Sequence, residues 1–232
     1  MALRPGRVVR PLDRAGQAGV GVSGGLWRYR RVLTYRASTR MPAVYLCRHG
    51  ETVLNSEGRL RGLSNVDLNA VGRREADALA LTLQPMKPGA IMASPLGRTR
   101  QTAEAIGAAC GLKPEVCDDL LDRDYGPQNG RPVDEVIETW GSVDHAPGVE
   151  PWDSVLIRAR SALAEAAVRS QDGPVVLVSH DAVNSALLAF LDSTRWPDPR
   201  AVRQPTGCLN VLWPDNDTWV VLIAGLRPAP IR

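Results

Sequence analysis

The 232-residue sequence predicts an α/β fold: a three-layer sandwich with a mainly parallel central sheet covered by helices on both faces. Three observations predict it. Short, continuously apolar runs (Ala43–Cys47, Ala90–Ala93 and Val175–Ser179) alternate with Ala- and Leu-rich segments of helical period, the pattern of strands buried on both sides. The hydrophobic share, 44%, is enough for a sizeable core at this length. No apolar run approaches the roughly 20 residues of a membrane span, so no membrane segment is expected.

Each element has a local reason. Ala43–Cys47 (AVYLC) is a buried strand running into a polar loop. Ala70–Leu83 carries Ala and Leu at helical spacing behind Asn69, an N-cap residue, and is stopped by Pro85 and Pro88-Gly89. Ala90–Ala93 is the second strand. A helix over Pro95–Cys110 follows, with Ser94 as expected N-cap, Pro95 at the first helical position and Gly111 as stop. Pro114–Cys117 is a short third strand, 118–132 a loop, Val133–Trp140 a short helix and Trp152–Arg169 a long one. Val175–Ser179 (VVLVS) is a buried strand with a helix over Ala182–Leu191 behind it. Strands Cys208–Trp213 and Thr218–Ala224 flank Pro214-Asp215-Asn216-Asp217, a hairpin signal.

Charge divides the chain. The net charge is +3, yet residues 1–40 hold nine arginines and one acid, leaving 41–232 at −5. The first forty residues, rich in Arg and Gly and without a sustained period, read as a disordered extension with one turn of helix near Trp27–Tyr35. Residues 41–232 read as the folded domain. The four cysteines show neither a CxxC nor a dense framework and read as buried thiols of a reducing cytoplasm.

In a parallel-rich sheet, ligands sit beyond the carboxyl ends of the strands. Those ends carry Arg48-His49-Gly50-Glu51, Ser94 to Arg98, and His180-Asp181. Arginine forks match phosphate oxygens, a neutral oriented histidine is a nitrogen nucleophile, and a helix start offers N–H groups to an anion. These parts describe a phosphoryl-transfer site whose Arg and His groups supply the charge stabilisation without a metal. No metal-ligand spacing, P-loop or GxGxxG is present, so no cofactor is expected.

VYLCRHGETVLN (44–55), SPLGRTRQTAE (94–104) and VLVSHDAVNSALL (176–188), in this order and each at a strand end, resemble the histidine phosphatase superfamily, in its phosphoglycerate mutase-like branch. The resemblance runs from about Ala43 to Gly225. It implies a phosphoglycerate mutase-like sandwich and a phosphohistidine intermediate. It also implies that His49 is the nucleophile, Arg48 and Arg98 the phosphate clamp and His180 the second catalytic histidine. Asn55 would line the phosphate pocket, and Arg61-Gly62 would border the substrate. Asp122 stands where the family usually has a glutamate that protonates the leaving oxygen, and Asp124 is its local competitor. Asp181 stands where this branch commonly has Gly, whereas the acid-phosphatase branch uses such an Asp as the acid. Both schemes stay open, with Asp122 preferred for reach to the leaving oxygen. Arg100 and Arg123 read as surface, His145 as a solvated loop residue, and Glu51 equally as a pocket residue or a turn cap.

The stretch after the acid, GPQNGRPVDEVIETWG, offers Arg131 but neither the Lys nor the following Arg pair with which family mutases hold a substrate carboxylate. The expected function is therefore hydrolysis of small phosphomonoesters, with a bisphosphoglycerate-dependent mutase as runner-up. A third reading, from another class, is an inactive scaffold that grips nucleic acid through the basic extension; the filled catalytic positions argue against it. A small-molecule phosphomonoester is the expected partner, without nucleic acid, and a homodimer is left open.

Overall fold

The computed structural model describes residues 43–215 and 218–229. The extension over 1–40, its helical turn and the middle of the hairpin linker at 216–217 lie outside the described residues. Among those described, no helix is long and apolar enough to cross a membrane.

Six strands form one sheet: β1 (Val44–Arg48), β2 (Ala90–Ala93), β3 (Glu115–Val116), β4 (Val175–Ser179), β5 (Leu209–Asp215) and β6 (Thr218–Leu226), in the order β3-β2-β4-β1-β5-β6. β1, β2, β3 and β4 run parallel; β5 and β6 are antiparallel additions at one side. The helices are α1 (Val53–Ser56), α2 (Ala70–Leu83), α3 (Gly97–Cys110), α4 (Val133–Trp140), α5 (Trp152–Arg169) and α6 (Asp181–Leu191).

Period-2 alternation splits the apolar side chains of the central strands between two cores. Val44, Leu46, Val175 and Leu177 face one way and pack with Val155, Ala159 and Leu163 of α5 and Val183 and Leu187 of α6. Tyr45, Cys47, Val176 and Val178 face the other way, against Leu79 and Leu83 of α2 and Ala103 and Ile106 of α3. The expected three layers follow from this split. A smaller cluster of Leu60, Tyr125, Val136 and Ala146 lies under α4.

Most local expectations hold. Asn69 Oδ1 accepts from Gly72 N at 2.9 Å and caps α2, and Gly111 ends α3 at φ +71°. One does not: α3 begins at Gly97 behind an extended Leu96, so Ser94 does not cap it. The side chain that reaches the helix start is instead Asn65, whose Oδ1 accepts from Gly97 N at 2.6 Å. Ser94 Oγ is turned toward another partner in the site. The short α1 escapes a periodicity argument because it rests on a reciprocal cap between Thr52 and Asn55.

Register brings the functional ends together. Arg48 pairs with Ser179 across β1 and β4, and Ala93 with Val178 across β2 and β4. His49, Ser94 and His180 therefore leave the sheet at one edge. The loop after β1 then lies backbone against backbone on the first turn of α2. A Cβ on Gly50 would stand 2.2 Å from the Gly72 carbonyl oxygen, and one on Gly72 2.1 Å from that of Glu51. Gly72→Ala is expected to destabilise the fold by about 1–3 kcal/mol through this contact, at roughly 2–4 °C of Tm per kcal/mol for a domain of this size. An unchanged Tm in thermal unfolding would contradict the close approach.

Candidate active site

His49 is fully buried, and both ring nitrogens are engaged by groups with only one possible role. Nδ1 lies 2.7 Å from Gly50 O, which can only accept, and Nε2 lies 3.2 Å from Arg98 Nε, which can only donate. The imidazole is thus neutral, with its proton on Nδ1 and its lone pair on Nε2. Burial pushes its pKa well below the ordinary histidine range, and the charges of Arg98 and Arg48 push the same way.

Arg98, on the first turn of α3, is wholly enclosed. Its Nη1 donates to Ser64 O at 2.7 Å, and its Nη2 to Gly62 O at 2.8 Å and to Asp122 Oδ2 at 3.0 Å. Gly62 thus contributes a carbonyl to the clamp. Asp122, 2% exposed, also stands 3.6 Å from His180 Nδ1. Its Oδ1 accepts from Arg123 N at 2.9 Å. His180, likewise fully buried, sits 5.2 Å from His49 between ring centroids. Burial, then the positive charge of Arg98, pushes its pKa well below the ordinary range. Its Nε2 lies 2.9 Å from Ser94 Oγ, while Nδ1 is buried without a hydrogen-bond partner. Ser94 Oγ also takes a long contact from Leu96 N at 3.5 Å, so one hydroxyl links the start of α3 to the His180 ring.

Arg48, 6% exposed, donates from Nη1 to Gln204 O and stands 3.5 Å from Asp181 Oδ2; its Nε is buried and unbonded. Arg61 Nη2 lies 4.0 Å from the same Asp181 oxygen, and its Nε is also buried and unbonded. Asp181 is the outermost of these groups, with a side chain 37% exposed. Three arginines therefore face two carboxylates around two neutral histidines. Buried cations with unused donors make a strong anion site.

The predicted residues divide clearly. His49, Arg48, Arg98, His180 and Asp122 come together, with Arg61 and Asp181 at the rim. Asn55 is more committed than expected: its Oδ1 accepts from Thr52 N at 3.1 Å and Thr52 Oγ1 at 2.9 Å, so only its amide nitrogen can turn to a ligand. Asp124 is absorbed by its own loop, accepting from Gly126 N and Asn129 Nδ2. Arg123 is a correction. It is buried because Asp144, Glu150 and Trp152 fold over it: it pairs with Asp144 at 2.6 Å, donates to Glu150 O and lies over the Trp152 ring. Arg100 and His145 are exposed, as expected. Glu51 caps locally, its Oε1 accepting from Asn69 Nδ2. Sequence reasoning missed the role of Ser94 and missed Gln204 altogether. Only the position of Ser94 at a strand end signalled its place. Cys47 is buried with its pKa pushed up, as a packing thiol should be.

These protonation states predict an NMR result. In the intact protein the His49 ¹⁵N shifts are expected to stay those of the neutral Nδ1–H tautomer as pH falls through 6.5, and Arg98→Gln, by removing a repelling charge, is expected to move the titration upward. A wild-type His49 that protonates at or above the ordinary value near 6.5 would contradict the geometry.

Comparison with known proteins identifies relatives of the chain. The model of the histidine phosphatase superfamily (branch 1) matches residues 44–225. The chain is 30% identical over 179 residues to the uncharacterized phosphatase PhoE of Bacillus subtilis (strain 168), covering 77% of this chain and 92% of that protein. It is 33% identical over 171 residues to the probable phosphoglycerate mutase GpmB of Salmonella paratyphi C (strain RKS4594), covering 69% and 80%. Among solved structures it resembles the mycobacterial glucosyl-3-phosphoglycerate phosphatase complexed with VO3, at 27% identity and TM-score 0.69, covering 78% of this chain and 96% of that one. With its paired histidines and arginines gathered at one sheet edge and the family pattern spanning nearly all of the described residues, the chain belongs to branch 1 of the histidine phosphatase superfamily.

Proposed function

We propose that the protein hydrolyses small phosphomonoesters through a phosphohistidine on His49. The observation that carries this reading is the pair of hydrogen bonds that leaves the His49 lone pair on Nε2, beside Arg98. A phosphoryl group entering there takes over the Arg98 Nε donor. Its non-bridging oxygens meet Arg48, Arg98 and the imidazole of His180, which stabilise the charge that builds in transfer without a metal. The phosphomonoester enters as its monoanion and passes its proton to Asp122; Nε2 forms the N–P bond as the P–O ester bond breaks, and Asp122 donates that proton to the leaving oxygen. In the second step water attacks phosphorus, Asp122 takes the water proton, the N–P bond breaks to restore neutral His49, and the departing phosphate carries the proton away from Asp122.

Hydrolysis is favoured over mutase chemistry by the state of Arg131. Its Nη1 donates to Gln128 Oε1 at 2.7 Å and its Nη2 to Glu135 Oε1 at 2.6 Å, so the one cation of that stretch is held on α4 and is not free for a substrate carboxylate. The relatives bear both kinds of name, phosphatase and probable mutase. Incubation with 3-phosphoglycerate and the bisphosphate primer is expected to release free phosphate. Rapid formation of 2-phosphoglycerate with little phosphate would overturn the reading.

The role of Asp122 predicts a dependence on the leaving group. Asp122→Asn is expected to lower kcat about 10²–10³-fold on an alkyl phosphate and far less on p-nitrophenyl phosphate, whose leaving oxygen needs little protonation. Asp181→Asn is expected to act mainly on KM. The opposite assignment of the two effects would move the acid to Asp181. Ser94→Ala is expected to lower kcat roughly tenfold, the scale of one lost hydrogen bond, with Ser94→Thr restoring it. Equal kcat for wild type and Ser94→Ala would remove Ser94 from the account.

A further inference from the structure

A partly open pocket lies behind the loop after β1. It is about 290 Å³, at the small end of ligand pockets, and is lined by the first half of α2, the loop before β5 and the residues after β6. Arg74 and Arg227 both line it, and neither forms an ion pair or hydrogen bond among the described residues. Glu75, in the same lining, accepts from Thr206 Oγ1 at 2.9 Å and from Glu51 N at 2.8 Å. An ionised carboxylate has about four lone-pair sites, so Glu75 retains capacity for further donors.

We infer that this cavity binds a small organic anion that also carries a hydroxyl or ammonium group, with the anionic group on Arg74 and Arg227 and the donor on Glu75. Guanidinium forks free of competing carboxylates suit a carboxylate or phosphate. The carboxylate in the same wall would repel a bare anion and so selects a ligand with an adjacent donor.

The cavity touches the groups that hold the His49 backbone. Glu51 follows the nucleophile by two positions, and Gly207, which also lines the cavity, donates from its N to His49 O at 3.0 Å. The next residue, Cys208, accepts from Arg48 N through its carbonyl. A ligand donor drawn to the free lone pairs of Glu75 pulls on the carboxylate that also holds Glu51 N and Thr206 Oγ1, and so shifts the backbone on either side of His49. Occupancy is therefore expected to lower kcat while leaving KM nearly unchanged. This coupling rests on the proposed hydrolysis; the binding itself does not.

The test is calorimetric titration of the full chain with citrate, which has carboxylates and one hydroxyl, in saturating inorganic phosphate to occupy the catalytic pocket. The expected result is one citrate per chain for the wild type and at least roughly tenfold weaker binding for the R74Q/R227Q double variant, whose uninhibited activity is unchanged. No citrate binding with or without phosphate, or equal binding by the double variant, would overturn the site. In parallel, citrate is expected to lower wild-type kcat for p-nitrophenyl phosphate at least about twofold without affecting the double variant; an unaltered kcat would overturn the coupling. Failure to hydrolyse p-nitrophenyl phosphate at all would count against the hydrolytic reading alone, since the calorimetry decides the site.

Discussion

The rest of the site depends on how one imidazole is held. A carbonyl that can only accept sits at Nδ1 of His49, and a guanidinium nitrogen that can only donate sits at Nε2. Together they exclude the other tautomer and the cation. Burial adds to this, since a charged ring beside Arg98 and Arg48 would be both desolvated and repelled. Arg98 in turn is held by Ser64 O, Gly62 O and Asp122, so the loop 61–66 and the acid are fixed by the arginine that guards the lone pair. Removing Arg98 would leave Asp122 a buried, unpaired charge, a change that costs about 3–5 kcal/mol in comparable sites. The geometry of the candidate site and local stability are here the same set of contacts.

The sheet makes that set reachable. Parallel pairing of β1 and β2 with the central β4 aligns three carboxyl ends, so residues 49, 94 and 180 meet although they are far apart in the chain. The two-sided core fixes the register, because a slip by one residue would exchange the α2–α3 face for the α5–α6 face. Close backbone contact at Gly50 and Gly72 then sets how deeply the loop after β1 sits.

Much of this was legible in the sequence because strand ends and helix periods are local signals. The runs AVYLC and VVLVS, the Asn69 cap and the Gly111 stop are each decided within a few residues. The site histidines and arginines were legible because they follow strands directly. What was hidden depends on three-dimensional neighbours. Ser94 has the composition of an N-cap, yet the chain stays extended through Leu96 and its hydroxyl meets His180, 86 residues away. Arg123 looks like loop surface until Asp144 and Trp152 fold over it. The choice between Asp122 and Asp124 is equally non-local: one meets Arg98, the other closes its own turn.

The central claim is that Nε2 of His49 carries the phosphoryl group. The direct measurement is to mix the protein with a phosphomonoester, quench in alkali within the first turnover, where phosphohistidine survives, and locate the modification by peptide mass spectrometry. The expected result is one phosphoryl group, on His49, absent from His49→Ala and lost on acid treatment. Turnover without a trapped phosphohistidine, or a phosphoryl group on another residue such as Cys47 or Ser94, would contradict it.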